Sequence, residues 1–289
     1  MRGSRGETDT PPPEARRRAR LRSAVGREGA IRAMEAFIGA FIFLLIVQNL
    51  LGFDITDARF WGRFQRSLFQ GFVGTLFFTA IVIPLSLAIG FVAGWARVSR
   101  YRFLSWPVSV YVDLIRGVPP IILVIFAFLF GPELLPRRYQ TQDAGLIFGA
   151  IALALHSGAY QTEIFRAGFQ SVPRGQLEAA HAIGLTRWQT MSRVALPQAF
   201  RLSLPPLANE FSVLVKDTSL LGALGAEEMF ALGGEFTQDI VLGAGPLSWL
   251  FAVWTAVALL YFLLNFAITR AVLFVERSFR TPGMEEVGM

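Results

Sequence analysis

The chain has 289 residues, of which 53% are hydrophobic and only 17% are charged, and its mean hydropathy is +0.48. This composition is unlike that of an average soluble domain and predicts an integral membrane protein. The absence of cysteine and the presence of only two histidines exclude a disulfide framework and argue against a metalloenzyme. The net charge is +6, but the arginines cluster at the edges of apolar runs, which does not indicate nucleic-acid binding.

The N-terminal region divides into a polar part and an apolar part. Residues 1–35 contain the run PPPEARRRARLR, and no small-residue cleavage site follows in the manner of a signal peptide. We interpret them as a basic cytoplasmic tail that is disordered or lies on the membrane surface. The apolar run at about 36–52 is near the lower limit of about 17 residues for a spanning helix. With its outer loop, it predicts an additional N-terminal transmembrane segment over 36–67.

Five further apolar runs predict transmembrane helices, which gives about six in an all-α membrane protein. Gly90 and Gly94 in one run, and Gly145 and Gly149 in another, have the GxxxG spacing that permits close helix packing. The five runs are 68–96, 104–131, 143–165, 199–218 and 246–273.

The run at 104–131 is interrupted by the sequence DLIRGVPP. Pro119 and Pro120 cannot donate backbone hydrogen bonds, so they predict a kinked span. Asp113 and Arg116 lie three residues apart, one turn of a helix. They either neutralise each other inside a helix bundle, or Arg116 binds a substrate carboxylate.

The distribution of arginine predicts the orientation of the chain. With the N-terminus inside, the tail places nine arginines in the cytoplasm. The outer side then receives only five, at positions 59, 63, 66, 137 and 138. By the positive-inside rule, this asymmetry predicts six spans in a bacterial cytoplasmic (inner) membrane. Both termini, including a C-terminal tail at 276–289, are predicted to be cytoplasmic.

A polar stretch at about 172–197 separates two apolar runs and contains EAAHAIGLTRWQTMSRVALPQAF. Glu178, Ala179 and Ala180 are expected to start a short helix, Gly184 to allow a sharp turn, and Pro197 to lie near the first turn of the next helix. Small residues would let another surface approach closely, and Glu178 offers a charge-assisted contact. The stretch therefore predicts a cytoplasmic element that docks a soluble partner.

This stretch resembles the EAA loop of the membrane subunits of bacterial ABC importers. The matching residues are Glu178-Ala179-Ala180, Gly184 and Val194-Ala195-Leu196-Pro197. YVDLIRGVPP, SGAYQTEIFRAGFQSVPRGQLEAA and LVKDTSL are similar to the polar amino-acid branch, the histidine, glutamate, glutamine and arginine group. The resemblance covers about 68–280.

The resemblance implies a permease with five core spans at 68–275 that moves polar amino acids by alternating access. It implies a second permease chain, a cytoplasmic ATPase dimer that binds ATP and Mg²⁺, and an extracytoplasmic amino-acid-binding protein. Glu178, Ala179, Ala180 and Gly184 would then form a coupling helix that contacts the ATPase. Family members commonly have five spans and an Asn before SGAY, so the segment at 36–52 is an addition and His156 is a replacement.

Polar groups within the predicted spans indicate a substrate pathway, because such groups are costly in a membrane. By residue count they lie at similar depth, and nearby prolines would free backbone groups for a ligand. The candidates are Arg116, His156, Ser157, Asn209 and Glu210. The alternatives are a packing histidine and a kink without a ligand. Glu163 and Arg166, three residues apart, favour a structural ion pair.

The sequence predicts no enzymatic activity in this chain. It contains neither a GxxxxGK[ST] phosphate loop nor a G-x-S-x-G nucleophile elbow, so the energy for active transport would come from a partner. A membrane scaffold or receptor that docks a cytoplasmic partner is an alternative. A secondary transporter is a further alternative, although we find no internal inverted repeat. The sequence is compatible with any of these polar amino acids as the substrate, and with either a homodimer or a heterodimer.

Overall fold

The computed structural model describes residues 57–278, and before them only separate positions between residues 38 and 52. The chain forms two units, Met1–Thr56 and Asp57–Met289. In the first unit, the Asn49 side chain donates a hydrogen bond to the backbone carbonyl of Leu45 at 2.9 Å. The basic tail, most of the predicted span at 36–52 and the C-terminal tail beyond Ser278 lie outside the described residues.

The second unit is helical throughout its described elements. Its α-helices are α1 (Ala58–Arg97), α2 (Arg102–Arg116), α3 (Pro120–Phe130), α4 (Gln142–Gln170), α5 (Arg174–Ala182), α6 (Arg187–Thr190), α7 (Leu196–Asp217), α8 (Ser219–Gly222), α9 (Met229–Asp239) and α10 (Trp249–Ser278). Short 3₁₀ turns at Pro132–Leu134 and Arg137–Tyr139 connect α3 to α4. This architecture confirms the all-α prediction.

Three helices of the described region are long and apolar enough to cross a membrane by themselves: α1, α4 and α10. The bent pair formed by residues 102–134 meets the same criterion as a fourth crossing. Large apolar side chains such as Phe69 and Phe262 are more than 60% exposed, which suits contact with lipid. α7 has 22 residues but falls outside the criterion because its sequence is interrupted by prolines and charged groups.

The pair α1 and α4 forms the centre of the unit, and the predicted close packing at Gly90 and Gly94 is confirmed. A Cβ atom at Gly90 would lie 2.4 Å from Cβ of Gln161, and one at Gly94 would lie 2.6 Å from Cβ of Phe165. Both distances are far inside van der Waals contact. The two helices therefore approach so closely that these positions have no room for a side chain.

Gly90→Ala is expected to destabilise the folded chain by about 1 to 3 kcal/mol, because the added methyl group overpacks this contact. A lower thermal midpoint of the purified protein would show the effect. Gly62→Ala is the matched control on the same helix, since a Cβ there meets no atom within 4 Å. Equal midpoints for the two variants would contradict the close contact.

The run at 104–131 is bent more sharply than a kink, because it forms two helices that meet at a break. The segments 102–116 and 120–134 are inclined at 103°. α2 ends at Arg116 and α3 begins at Pro120, after Gly117, Val118 and Pro119. Consecutive prolines remove two donors, and each disfavours helical geometry in the residue before it. The backbone therefore breaks completely where a single proline would have produced a kink.

The polar stretch starts its helix earlier than predicted. α5 begins at Arg174, after Pro173, so Glu178 lies in the middle of the helix instead of at its start. The next helix also begins earlier, at Arg187, where Thr186 and Gln189 form a reciprocal capping box with bonds of 3.3 and 2.9 Å. The capping box, and not the later Leu-Pro pair, therefore determines where this helix begins.

The helix that begins at Arg187 continues into α7 through a π-helical turn at Met191–Ala195. Pro197 follows directly and lacks the N–H that would close a regular turn, and a widened turn is a common way to accommodate such a loss. Residues 187–217 therefore form one continuous helical rod that joins the polar stretch to the helices in the interior of the unit.

Residues 218–239 form an element that the hydropathy pattern did not indicate. We call it the distal cap, because it lies at the end of α7 opposite the polar stretch. It contains α8, a turn with Gly225 at φ +98° and α9, whose first turn is capped by Glu228. Phe64 of α1 packs on Phe236 of the cap, and Phe60 packs on Trp249 of α10, with ring centroids 4.9 and 5.5 Å apart.

Candidate substrate pathway and coupling surface

A hydrogen-bonded polar network joins α1, α4 and α7 inside the unit. Ser157 donates to Oε1 of Glu210 at 2.8 Å. Gln161 donates to the hydroxyls of Ser157 and Ser86, at 3.0 and 2.8 Å. Ser86 lies about three helical turns, roughly 17 Å, from Arg97 at the end of α1. That places the network near the middle of a hydrocarbon core about 30 Å thick.

A second group of side chains lies beside this network, centred on Tyr160 of α4. The guanidinium of Arg116 lies 4.9 Å from the centre of the Tyr160 ring, a cation–π distance. The His156 ring lies 5.2 Å from the same ring, and the next residue of α4, Ser157, donates to Glu210. The structure thus brings Arg116, His156, Ser157 and Glu210 into one neighbourhood.

Asn209, the fifth candidate, lies on an exposed face of α7. This face also carries Leu202, Pro205, Pro206 and Lys216, which recur at helical spacing. Arg116 is exposed as well, whereas His156 and Ser157 are buried. The candidate site is therefore half enclosed by this chain and open on one side.

The predicted pair of Asp113 and Arg116 is wrong. Asp113 lies 4.0 Å from Arg97 of α1, while Arg116 faces the Tyr160 ring. The break after Arg116 leaves it at the last turn of α2, where neighbouring helices decide the direction of its side chain. The reading in which the pair neutralises itself inside a bundle therefore does not hold.

The predicted pair of Glu163 and Arg166 is confirmed, and it is part of a larger network. Arg166 contacts Oε2 of Glu163 at 2.8 and 2.9 Å, and Arg97 contacts Oε1 at 3.1 Å. The side chains of Arg97 and Glu163 are less than 20% exposed. Removing one member would leave an uncompensated charge in a nearly buried place, so the network fixes α1 against α4.

The polar stretch at 172–197 presents a short helix with an abrupt end. α5 is closed by Gly184 at φ +87°. The N–H of Leu185 bonds to the Ala180 carbonyl at 3.1 Å, and that of Gly184 to the His181 carbonyl at 3.0 Å. This is the Schellman pattern, in which a left-handed residue satisfies the last carbonyls of a helix.

The four coupling candidates do not share one surface. Glu178, Ala179 and Gly184 are exposed, whereas Ala180 is buried at 5% exposure. Ile183 at the tip of the stretch is 79% exposed. The exposed surface thus combines a carboxylate, a small residue and an apolar tip, while Ala180 packs inward.

Trp188 connects the polar stretch to the body of the unit. Its ring stacks on Trp95 of α1 with centroids 5.9 Å apart and planes inclined at 27°, and Trp95 also contacts Phe169 of α4. The element is therefore held against the same ends of α1 and α4 that carry the arginine network.

A cavity of about 630 Å³ lies near these ends, between α1, α4 and α7. Pro84, Phe91, Phe165 and Phe200 are among its lining residues. None of the predicted pathway residues lines it. Its apolar wall does not suit a polar ligand.

Sequence reasoning missed Ser86, Tyr160 and Gln161, which connect the candidate side chains to each other. Gln161 follows Ser157 by four residues and could have been found as its neighbour on one helix face. Ser86 lies in an apolar run and gave no signal that distinguishes it from a packing serine. Glu228 was also missed, and it is completely buried.

A polar network near the estimated middle of the membrane, open on one side, is typical of a membrane transport protein. The model of the family described as binding-protein-dependent transport system inner membrane component matches residues 86–281. The chain belongs to this family, and it is a multi-pass protein of the inner membrane.

Curated relatives share much of the chain. It is 35% identical over 238 residues to the L-cystine transport system permease protein TcyB of Bacillus subtilis, covering 81% of this chain and 97% of that protein. It is 34% identical to the probable glutamine ABC transporter permease protein GlnM of the same organism, covering 72% and 91%. The glutamate transport system permease protein GluD of Corynebacterium glutamicum is 32% identical, covering 78% and 81%.

Solved structures support the same fold. One described as an amino acid ABC transporter with histidines is 25% identical, with a TM-score of 0.63, and covers 75% of this chain and 95% of that one. An inward-facing MetNI methionine ABC transporter is 21% identical, with a TM-score of 0.62, and covers 75% and 98%. The second likeness concerns the fold alone.

Proposed function

We propose that this chain is the permease subunit of an importer that moves polar amino acids across the membrane at the expense of ATP. The observation that carries the proposal is the network of Ser86, Ser157, Gln161 and Glu210 at mid-membrane depth, beside the Arg116 guanidinium. A carboxylate and a guanidinium at one open site suit a substrate that carries both an amino group and a carboxylate. The names of the curated relatives point to the same substrate class.

The open side of the site supports a second permease chain as a partner. Asn209 and Arg116 are exposed in the single chain, and solvating such groups at mid-membrane requires protein or water on that side. A second copy, or a close relative, closes the pathway between two facing α7 helices. Alternating access then exposes the site to each side of the membrane in turn.

The exposed surface of α5 binds a cytoplasmic ATPase in this proposal, and ATP and Mg²⁺ bind to that partner. Glu178 and Ala179 form the contact, Gly184 sets the end of the helix, and Ala180 supports it from within. An extracytoplasmic amino-acid-binding protein delivers the substrate to the opposite side. The arginine asymmetry supports a cytoplasmic location for both termini.

Reconstitution tests the proposal. The chain is purified with its ATPase, placed in vesicles, and supplied with the binding protein and labelled histidine, glutamate, glutamine or arginine. We expect uptake of at least one of these amino acids to require ATP and the binding protein together. ATP-independent uptake driven by an ion gradient would favour a secondary transporter. Partner binding without any uptake would favour a scaffold or receptor.

A further inference from the structure

The distal cap contains a buried carboxylate that plays no part in the pathway described above. Glu228 has no exposed surface, and no ion pair involving it occurs within residues 57–278. Burying a carboxylate is costly unless its oxygens accept hydrogen bonds. Its surroundings therefore need to supply donors.

Three donors from three elements surround Glu228. Tyr261 of α10 donates to Oε2 at 2.5 Å, and Thr75 of α1 donates to the same oxygen at 3.3 Å. The backbone N–H of Ala231 in α9 donates to Oε1 at 2.8 Å. We call Thr75, Glu228 and Tyr261 the clasp, because one carboxylate joins α1, α9 and α10.

Close backbone approach makes the clasp possible. A Cβ at Gly222 would lie 1.9 Å from Oε1 of Glu228, and one at Gly74 would lie 1.7 Å from the Glu227 carbonyl oxygen. The N–H of Met229 also donates to the Thr75 hydroxyl at 3.1 Å. The hydrogen bonds of the clasp and the close backbone contacts thus fix the position of the cap along α1.

The clasp lies on the side of the membrane opposite the exposed surface of α5. Thr75 is about six helical turns, roughly 33 Å, from Arg97, which is close to the hydrocarbon thickness of about 30 Å. α7 reaches the cap at Thr218, about two turns after Glu210. A shift of the cap would therefore displace the end of the helix that carries Asn209 and Glu210.

We propose that Glu228 is a positioning residue for transport. Through the clasp it holds the distal cap, and with it the distal end of α7, in one position relative to α1 and α10 until an external partner engages the cap. This role rests on the proposed function. Hydrogen bonds to a charged group are the strong ones, so loss of one clasp hydroxyl is expected to raise the population of the open cap about tenfold.

Matched hydroxyl variants test the clasp. Thr75→Val and Tyr261→Phe each remove one donor, whereas Thr75→Ser retains it. Thr79→Val removes a buried hydroxyl one turn further along α1 that has no hydrogen-bond partner. Glu228→Ala would leave three donors unpaired and is expected to impair assembly, so the hydroxyl variants decide the question.

The first measurement is thiol labelling in the purified permease–ATPase complex, which the cysteine-free sequence permits. Cysteine replaces buried Ala226 or exposed Glu227, and a maleimide is the probe. Thr75→Val and Tyr261→Phe should speed the reaction at position 226 about tenfold and leave it unchanged at 227. Unchanged rates at 226, or an equal increase with Thr79→Val, would overturn the clasp.

The second measurement is ATP hydrolysis with and without the binding protein. The ratio of the two rates should fall about tenfold in Thr75→Val and Tyr261→Phe and recover in Thr75→Ser. A labelling change without a change in this ratio would overturn the positioning role. If the wild-type complex shows no binding-protein-dependent hydrolysis, the proposed function fails, and labelling alone then supports or overturns the clasp.

Discussion

Gly184→Val is expected to reduce ATP-driven uptake at least tenfold while the chain still inserts into the membrane. Gly184 adopts φ +87°, where a β-branched residue is strained by roughly 1 to 2 kcal/mol or more. The valine would also disturb the two bonds that close α5. The proposed ATPase contact would then lose its shape without any change in the membrane helices.

Parallel measurements of uptake and binding-protein-stimulated ATP hydrolysis in vesicles check this result, and the two rates should fall together. Gly175→Val is the matched control, because Gly175 lies in the same helix with a φ outside the left-handed range and no atom within 4 Å of its Cβ position. Normal uptake by Gly184→Val would remove the coupling role of α5.

Arg116→Ala is expected to lower uptake about tenfold without loss of the assembled complex. The variant removes the guanidinium that lies over Tyr160, and with it the cation proposed to bind the substrate carboxylate. Arg116→Lys should fall between wild type and alanine, because an ammonium keeps the charge but not the planar stacking.

Concentration dependence of uptake, together with the yield of purified complex, checks this second expectation. Arg102→Ala removes an exposed arginine from the first turn of the same helix and should have no effect. Loss of the complex in Arg116→Ala would instead assign the residue to folding. Unchanged transport would exclude it from the pathway.

The parts of the structure that the sequence predicted depend on short-range patterns. Gly90 and Gly94 share one helix face, and Glu163 and Arg166 are one turn apart. Their spacing was therefore sufficient to predict the close helix contact and the ion pair. The candidates Arg116, His156, Ser157 and Glu210 were grouped by residue count alone, and the structure places them together. Their role as a substrate pathway stays a prediction.

The remaining features depend on contacts between distant parts of the chain. Asp113 turns to Arg97 because two helices meet there, and nothing within the sequence around Asp113 indicates this partner. Glu228 is buried because α1 and α10 supply donors from positions 75 and 261. The helices of the distal cap have only 4 and 11 residues, and four carboxylates interrupt the segment, so hydropathy could not reveal it.

The continuous helical rod at 187–217 has a thermodynamic consequence. The start of the rod next to α5 and the Asn209–Glu210 pair belong to one continuous helix, so under the proposed function binding at one site would be linked to binding at the other. If an ATPase bound at the polar stretch changes the affinity for an amino acid by some factor, the bound amino acid changes the affinity for the ATPase by the same factor. Substrate in the pathway would therefore be detectable as a change in the dissociation constant of a protein bound about 30 Å away, as estimated from helical rise.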